Sequence, residues 1–117
     1  MDIEQLREYC VAKKGVTECF PFDEYTLVFK VMNKMFAVIC LEKPCNIILK
    51  CDPEYAIELR ENYSAITGAF HFNKTHWNYL NTNEGLPENL IRKLIDHSYE
   101  LIVAKLTKKD KEILNNL

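Results

Sequence analysis

The chain has 117 residues, 48% hydrophobic and 27% charged, with a formal net charge of −2 and a pI near 5.9. That length is one ordinary domain, 1–117, with enough apolar content for a core, and the acidic balance argues against strong non-specific nucleic-acid binding by the domain as a whole. No run of about 18 apolar residues exists, so no membrane partner is expected, and the acidic start Met1-Asp2-Ile3-Glu4 lacks an apolar signal core, so export is not expected either.

Residues 2–13 read as a helix, because Asp2 and Gln5 have capping-box spacing and Ile3, Leu6 and Cys10 share a face. Gly15 is placed to end it. β-type segments follow. Thr17–Phe22 is short and closes at Pro21, and Tyr25–Met32 is rich in β-branched and aromatic residues. Asn33-Lys34 reads as a tight turn and Met35–Leu41 as the returning strand. Lys43-Pro44 breaks the run before a further strand, Asn46–Cys51. Asp52-Pro53 starts a second helix to about Asn62, with Tyr55 or Ala56 and Leu59 inward. Residues 63–69 read as a loop, 70–81 as one or two short strands, and Asn81–Gly85 as a turn. Pro87 opens the longest helix, ending near Leu106, whose stripe of Leu90, Ile91, Leu94, Ile95, Leu101, Ile102 and Leu106 faces a sheet. The charged tail 108–117 is expected to fray or to form a short helical turn. The expected class is α+β: a five- or six-stranded antiparallel sheet with the first and last helices on one face and the short middle helix at an edge or end.

Five cysteines, Cys10, Cys19, Cys40, Cys45 and Cys51, form no C-x-x-C pair and several lie in apolar runs. They read as free, buried thiols of a reducing compartment, hence a cytoplasmic location. Charge is segregated: residues 1–12 carry −2 and 52–64 carry −3, whereas 13–51 carry +2 and 65–82 carry +1 with two histidines. Positive charge therefore falls in the strand-like stretches, which leaves room for a local basic face.

Two constellations could carry function. The first is the polar-aromatic run Phe70-His71-Phe72-Asn73-Lys74-Thr75-His76-Trp77-Asn78-Tyr79. Aromatics of this kind stack on bases while Lys and Asn reach phosphates and base edges; alternatively the run is a hairpin whose aromatics fill the core. Trp77 is expected in the core and Lys74 in solvent. His71 and His76 are five apart, on opposite faces of a strand or about 140° apart on a helix, so neither a metal nor a cofactor is expected. The second constellation is Lys30, Lys34, Lys50 and Lys74. Lys30 and Lys50 alternate with apolar neighbours and so point away from the apolar face, where they either contact phosphates or simply solubilise the sheet. Glu18, Asp23 and Glu24 read as solvated turn carboxylates. No phosphate-binding glycine loop, H-E-x-x-H or G-x-S-x-G pattern occurs, so an enzyme is not expected.

Gly15-Val16-Thr17-Glu18, Phe20-Pro21-Phe22, Val28-Phe29-Lys30-Val31 and Lys34-Met35-Phe36-Ala37 together resemble the front half of the YjbR/MmcQ family. Leu49-Lys50-Cys51-Asp52-Pro53-Glu54 leading to Leu59-Arg60, His71-Phe72-Asn73-Lys74-Thr75-His76-Trp77-Asn78, and Ile95-Asp96-His97-Ser98-Tyr99 resemble its later motifs, so the likeness spans roughly residues 9–106 in order. Asp23 and Asn33 stand where the family usually has glycine, Thr67-Gly68 where it has proline–glycine, and Phe70 where it often has tyrosine. The resemblance implies a CyaY/frataxin-like sandwich and a DNA-binding role through a double-wing arrangement of hairpins. The leading expectation is a non-enzymatic, monomeric DNA-binding protein, with a regulatory role open, contacting DNA through Lys30, Lys34, Lys50, Asn73, Lys74 and His76. The alternative is a protein- or small-ligand-binding module using the His71–Trp77 surface.

Overall fold

A computed structural model of the chain describes residues 1–42, 46–69 and 72–117. Cys45, the Lys43-Pro44 break, Phe70 and His71 lie outside the described residues.

The elements run α1 (Ile3–Val11), β1 (Val16–Cys19), β2 (Thr26–Val31), β3 (Lys34–Cys40), β4 (Asn46–Lys50), α2 (Pro53–Asn62), β5 (Ile66–Gly68), β6 (Trp77–Asn81), α3 (Glu88–Ala104) and α4 (Lys108–Asn115). The expected α+β class is what forms: one six-stranded antiparallel sheet of order β1-β2-β3-β4-β6-β5. The capping box at Asp2 and Gln5 starts α1, and the Asp52 carboxylate accepts from the Tyr55 amide to start α2.

Cross-strand partners share a face, so the register sorts the side chains. Leu27, Ile39, Ile47, Leu80 and Ile66 form one inward row, joined to the buried Leu6 and Cys10 of α1 and Ile91, Leu94 and Ile95 of α3. Val28, Val38, Ile48, Tyr79 and Thr67 form the matching row on the other face, which no helix among the described residues covers. Val28 and Val38 are nonetheless buried, so that face is apolar at its middle.

Three expectations change, and the one or two strands expected over 70–81 come out as one among the described residues. The β2–β3 turn is centred on Met32 and Asn33, both at positive φ (49° and 65°), not on Asn33-Lys34. A two-residue hairpin loop of this hand needs positive φ at both central positions, and this choice pairs Val31 with Lys34 and keeps Val31 in the core. Between Phe29 and Lys30 the β2–β3 register then shifts, with Phe36 as the extra residue of β3. Residues 63–69, read as a loop, contain β5, because Ile66 has a core site to fill beside Leu80. Residues 70–81 supply one strand, β6, among the described residues, preceded by a turn at Asn73–His76. The tail does not fray: Thr107 caps α4, and Leu114 is buried against Gly15, whose φ of +73° closes the chain after α1.

The 96–99 segment shows how α3 is held. Successive helix residues project about 100° apart, so four neighbours reach six partners. Asp96 accepts from the Tyr9 hydroxyl and the Lys13 ammonium of α1. His97 Nε2 accepts from the Asp52 amide at the start of α2. Ser98 Oγ donates to Phe36 O at 2.5 Å and accepts from Lys50 N at 3.0 Å, filling the ladder where the bulge parts β3 from β4. Tyr99 donates its hydroxyl proton to Lys14 O at 2.6 Å. This motif is a structural clasp.

Candidate functional site

Antiparallel order places six strand ends together. The β2–β3 turn, the last residue of β4, the first of β6, the last of β5 and the first of β1 all lie at one end of the sheet, here the hairpin end. That geometry gathers the lysines. Lys30 stands on the helix-free face opposite Thr17, Lys34 is exposed beside the turn, and Lys50 pairs with Trp77 on the helix-free face. Lys50 lies close enough to Lys105, the residue that caps α3, for the two charges to interact where the sheet end and the helix end converge. Burial, and then the neighbouring Lys105 charge, lower the Lys50 pKa. Sequence reasoning missed Lys105. The only signal was its place at the end of the α3 stripe, which means something only once the helix direction is known.

Three lysine or arginine side chains among the described residues are ion-paired, while Lys14, Arg60, Lys93, Lys108, Lys109 and Lys111 share with the hairpin-end lysines the lack of a carboxylate partner. Arg7 binds Glu18, Lys13 binds Asp96, and Arg92 pairs with Glu88. Lys30, Lys34, Lys50, Lys74 and Lys105 have no carboxylate partner among the described residues. Lys74 faces a different neighbourhood from the others: it lines an open depression with Arg60, Glu61, Ile57 and Thr75, so the charge there is mixed. Asn73 closes its own turn, its Oδ1 accepting from Thr75 N and its carbonyl from the amides of His76 and Trp77. His76 is half-buried and its carbonyl accepts from Cys51 N.

Trp77 is not in the core. It is half-buried on the helix-free face and packs against Phe72, ring centroids 5.5 Å apart and planes at 37°. Its position follows from β6 alternation: Asn78 and Leu80 turn inward, so Trp77 and Tyr79 must turn outward. Asn78 takes the inward site by donating its amide to Ala56 O of α2.

Beside the Phe72–Trp77 pair, the helix-free face holds a cavity of about 700 Å³. Val38, Ile48 and Tyr79 form its floor, Phe72 one rim, and Phe22 and Asp23 the opposite rim. Phe22 is 64% exposed, with Phe20 and Tyr25 about half exposed beside it. The Asp23 carboxylate accepts from the amides of Tyr25 and Thr26 and from the Thr26 hydroxyl, contacts that lower its pKa. Of the turn carboxylates, Glu18 is thus clamped by Arg7 and Asp23 is spent on fixing its loop. Among the described residues no three His, Cys, Asp or Glu side chains converge as metal ligands, and no helix is long and apolar enough to cross a membrane.

Comparison with known proteins gives a consistent picture. The YjbR family model matches residues 11–101. Escherichia coli (strain K12) protein YjbR, described as uncharacterized, is 32% identical over 118 residues, covering all of both chains. Protein YbdF of Escherichia coli O157:H7, also described as uncharacterized, is 34% identical and covers 96% of each chain. The crystal structure of Deinococcus radiodurans protein DR2400, a DUF419 domain, superposes with a TM-score of 0.89 at 34% identity over 97% of this chain and 87% of that one. A Pseudomonas syringae protein superposes with a TM-score of 0.73 at 28% identity, covering 86% of this chain and 98% of that one.

Proposed function

The chain belongs to the YjbR family, and from that footing we propose that it is a non-enzymatic DNA-binding protein of the cytoplasm whose contact surface is the hairpin end of the sheet. The observation that carries this reading is the gathering of Lys30, Lys34, Lys50 and Lys105 at that one end, with Lys74 beyond them, none having a carboxylate partner among the described residues. Holding Lys50 against Lys105 costs Coulomb energy in the unbound protein, and a phosphate placed between them removes that cost. Net charge of −2 keeps the affinity of the domain modest and puts the binding energy into this one patch.

The test is a titration of a labelled oligonucleotide, followed by anisotropy, across a range of salt. Neutralising about four phosphates of a duplex gives a slope of log K against log salt near −3.6. Lys34→Ala, Lys50→Ala and Lys105→Ala are each expected to reduce that slope by about one without changing sequence preference. Salt-independent binding, or no binding at about 50 mM salt and micromolar protein, would sink the reading. The alternative, a small-ligand binder, rests on the cavity beside Phe72; it requires a saturable apolar ligand whose affinity ignores Lys34→Ala and Lys50→Ala.

A further inference from the structure

We propose that the nucleic acid this protein takes is single-stranded, lying across the helix-free face with one base seated in the cavity between Phe72 and Phe22. The inference rests on the nucleic-acid reading above and names its substrate class.

Three observations point the same way. A cation and an aromatic pair adjoin on one surface: Lys50 is the cross-strand partner of Trp77, Trp77 packs on Phe72, and Phe72 rims the cavity. A positively charged track beside stacking platforms is how proteins hold single strands without reading sequence. The cavity has the size of a small-molecule pocket, and its floor of Val38, Ile48 and Tyr79 offers apolar and aromatic surface to a flat ring. A paired base in a duplex cannot reach such a floor, since its faces are covered by its neighbours. Exposure is the third observation. Phe22 is 64%, Phe20 50% and Tyr25 47% exposed, and all three are large rings in one short segment beside the cavity. A single strand gives each a stacking partner; a duplex phosphate surface gives them none. Asp23 at the far rim fixes the polarity, because its carboxylate repels phosphates. The sugar–phosphate chain therefore runs on the lysine side and the base points towards Asp23.

Trp77, the single tryptophan of the chain, reports the event directly. The experiment titrates a mixed-sequence DNA single strand, and its blunt duplex, into the protein at one salt concentration, reading both label anisotropy and Trp77 emission. The single strand is expected to bind at least tenfold tighter than the duplex and to quench Trp77 saturably, the duplex leaving the emission unchanged. Phe22→Ala, at an exposed position where folding is not at stake, is expected to weaken single-strand binding 5- to 150-fold, the range for one stacked base, and to leave duplex binding alone. Lys34→Ala should weaken both. Duplex binding equal to or tighter than single-strand binding, or single-strand binding with unquenched Trp77 and a neutral Phe22→Ala, overturns the inference while leaving the nucleic-acid reading intact. Failure of both probes to bind overturns both readings.

Discussion

Ser98 is the residue on which the sheet and α3 depend most directly. Its hydroxyl is fully buried and serves two backbone groups at once, Phe36 O and Lys50 N. Ser98→Ala strands both, so a loss of about 1–3 kcal/mol is expected, read as a lower urea midpoint with an unchanged m-value. Trp77→Ala should behave differently from a core deletion. A buried Trp typically costs about 3–5 kcal/mol on truncation; Trp77 is half-buried on a face without helices, so its loss should fall clearly below that range in the same assay. The error in reading Trp77 as core has a physical cause. Sequence marks it as the largest apolar side chain in its segment, but β6 alternates, and the inward place is taken by Asn78, a polar residue whose side-chain amide donates to Ala56 O of α2. The lysines were easier to read, because Lys30 and Lys50 each interrupt an apolar run at period two. Their joining with Lys105 was not legible, since it depends on where a helix ends some 55 residues later in the chain (105 − 50).

Among the elements, α4 shows how packing can make a helix from a segment with little apolar content. Its eight residues would not hold alone, as isolated helices shorter than about 12–15 residues are marginal in water. Leu114 makes the difference by seating on Gly15, where a Cβ would lie 2.5 Å from Leu114 Cδ1. Gly15→Ala therefore meets two obstacles, a positive φ worth about 1–2 kcal/mol against any L-residue and the collision with Leu114. The expected result is a lower Tm together with loss of hydrogen-exchange protection across 108–115, a pattern that a purely local turn effect would not produce. Most elements were legible in advance because their signals are local: the Asp2–Gln5 box, Asp52-Pro53, and the period of α3. β5, which was not legible, and α4, legible only as one of two alternatives and then as a short turn, owe their existence to a partner distant in sequence, Leu80 for one and Gly15 for the other.

For the whole molecule, burial of acidic protons sets an alkaline limit. Burial pushes the Cys10 and Cys51 thiols up to about 12, and burial with a hydrogen bond to Asp96 pushes the Tyr9 phenol to about 12. Each group holds its proton more tightly folded than unfolded, so the unfolded chain binds fewer protons above the ordinary values of 9.0 for Cys and 10.0 for Tyr. Stability is then complete below pH 9 and falls as pH rises towards 12. Urea midpoints measured at pH 8, 9.5 and 11 should decline in that order, and a flat profile would contradict the burial of these groups. The same thiols should resist alkylation at pH 8 while the half-buried Cys19 and Cys40 react. The clasp at 96–99 has a further consequence for the order in which the protein can be made. All six strands are synthesised before α3, yet the inward row of Leu27, Ile39, Ile47, Leu80 and Ile66 is covered largely by that helix, and the β3–β4 gap is closed by Ser98. A nascent chain emerging from the ribosome therefore carries an open, oily sheet until its last quarter is translated. Chaperone engagement belongs to that interval, and a premature stop before Glu88 yields an aggregating product rather than a smaller working protein.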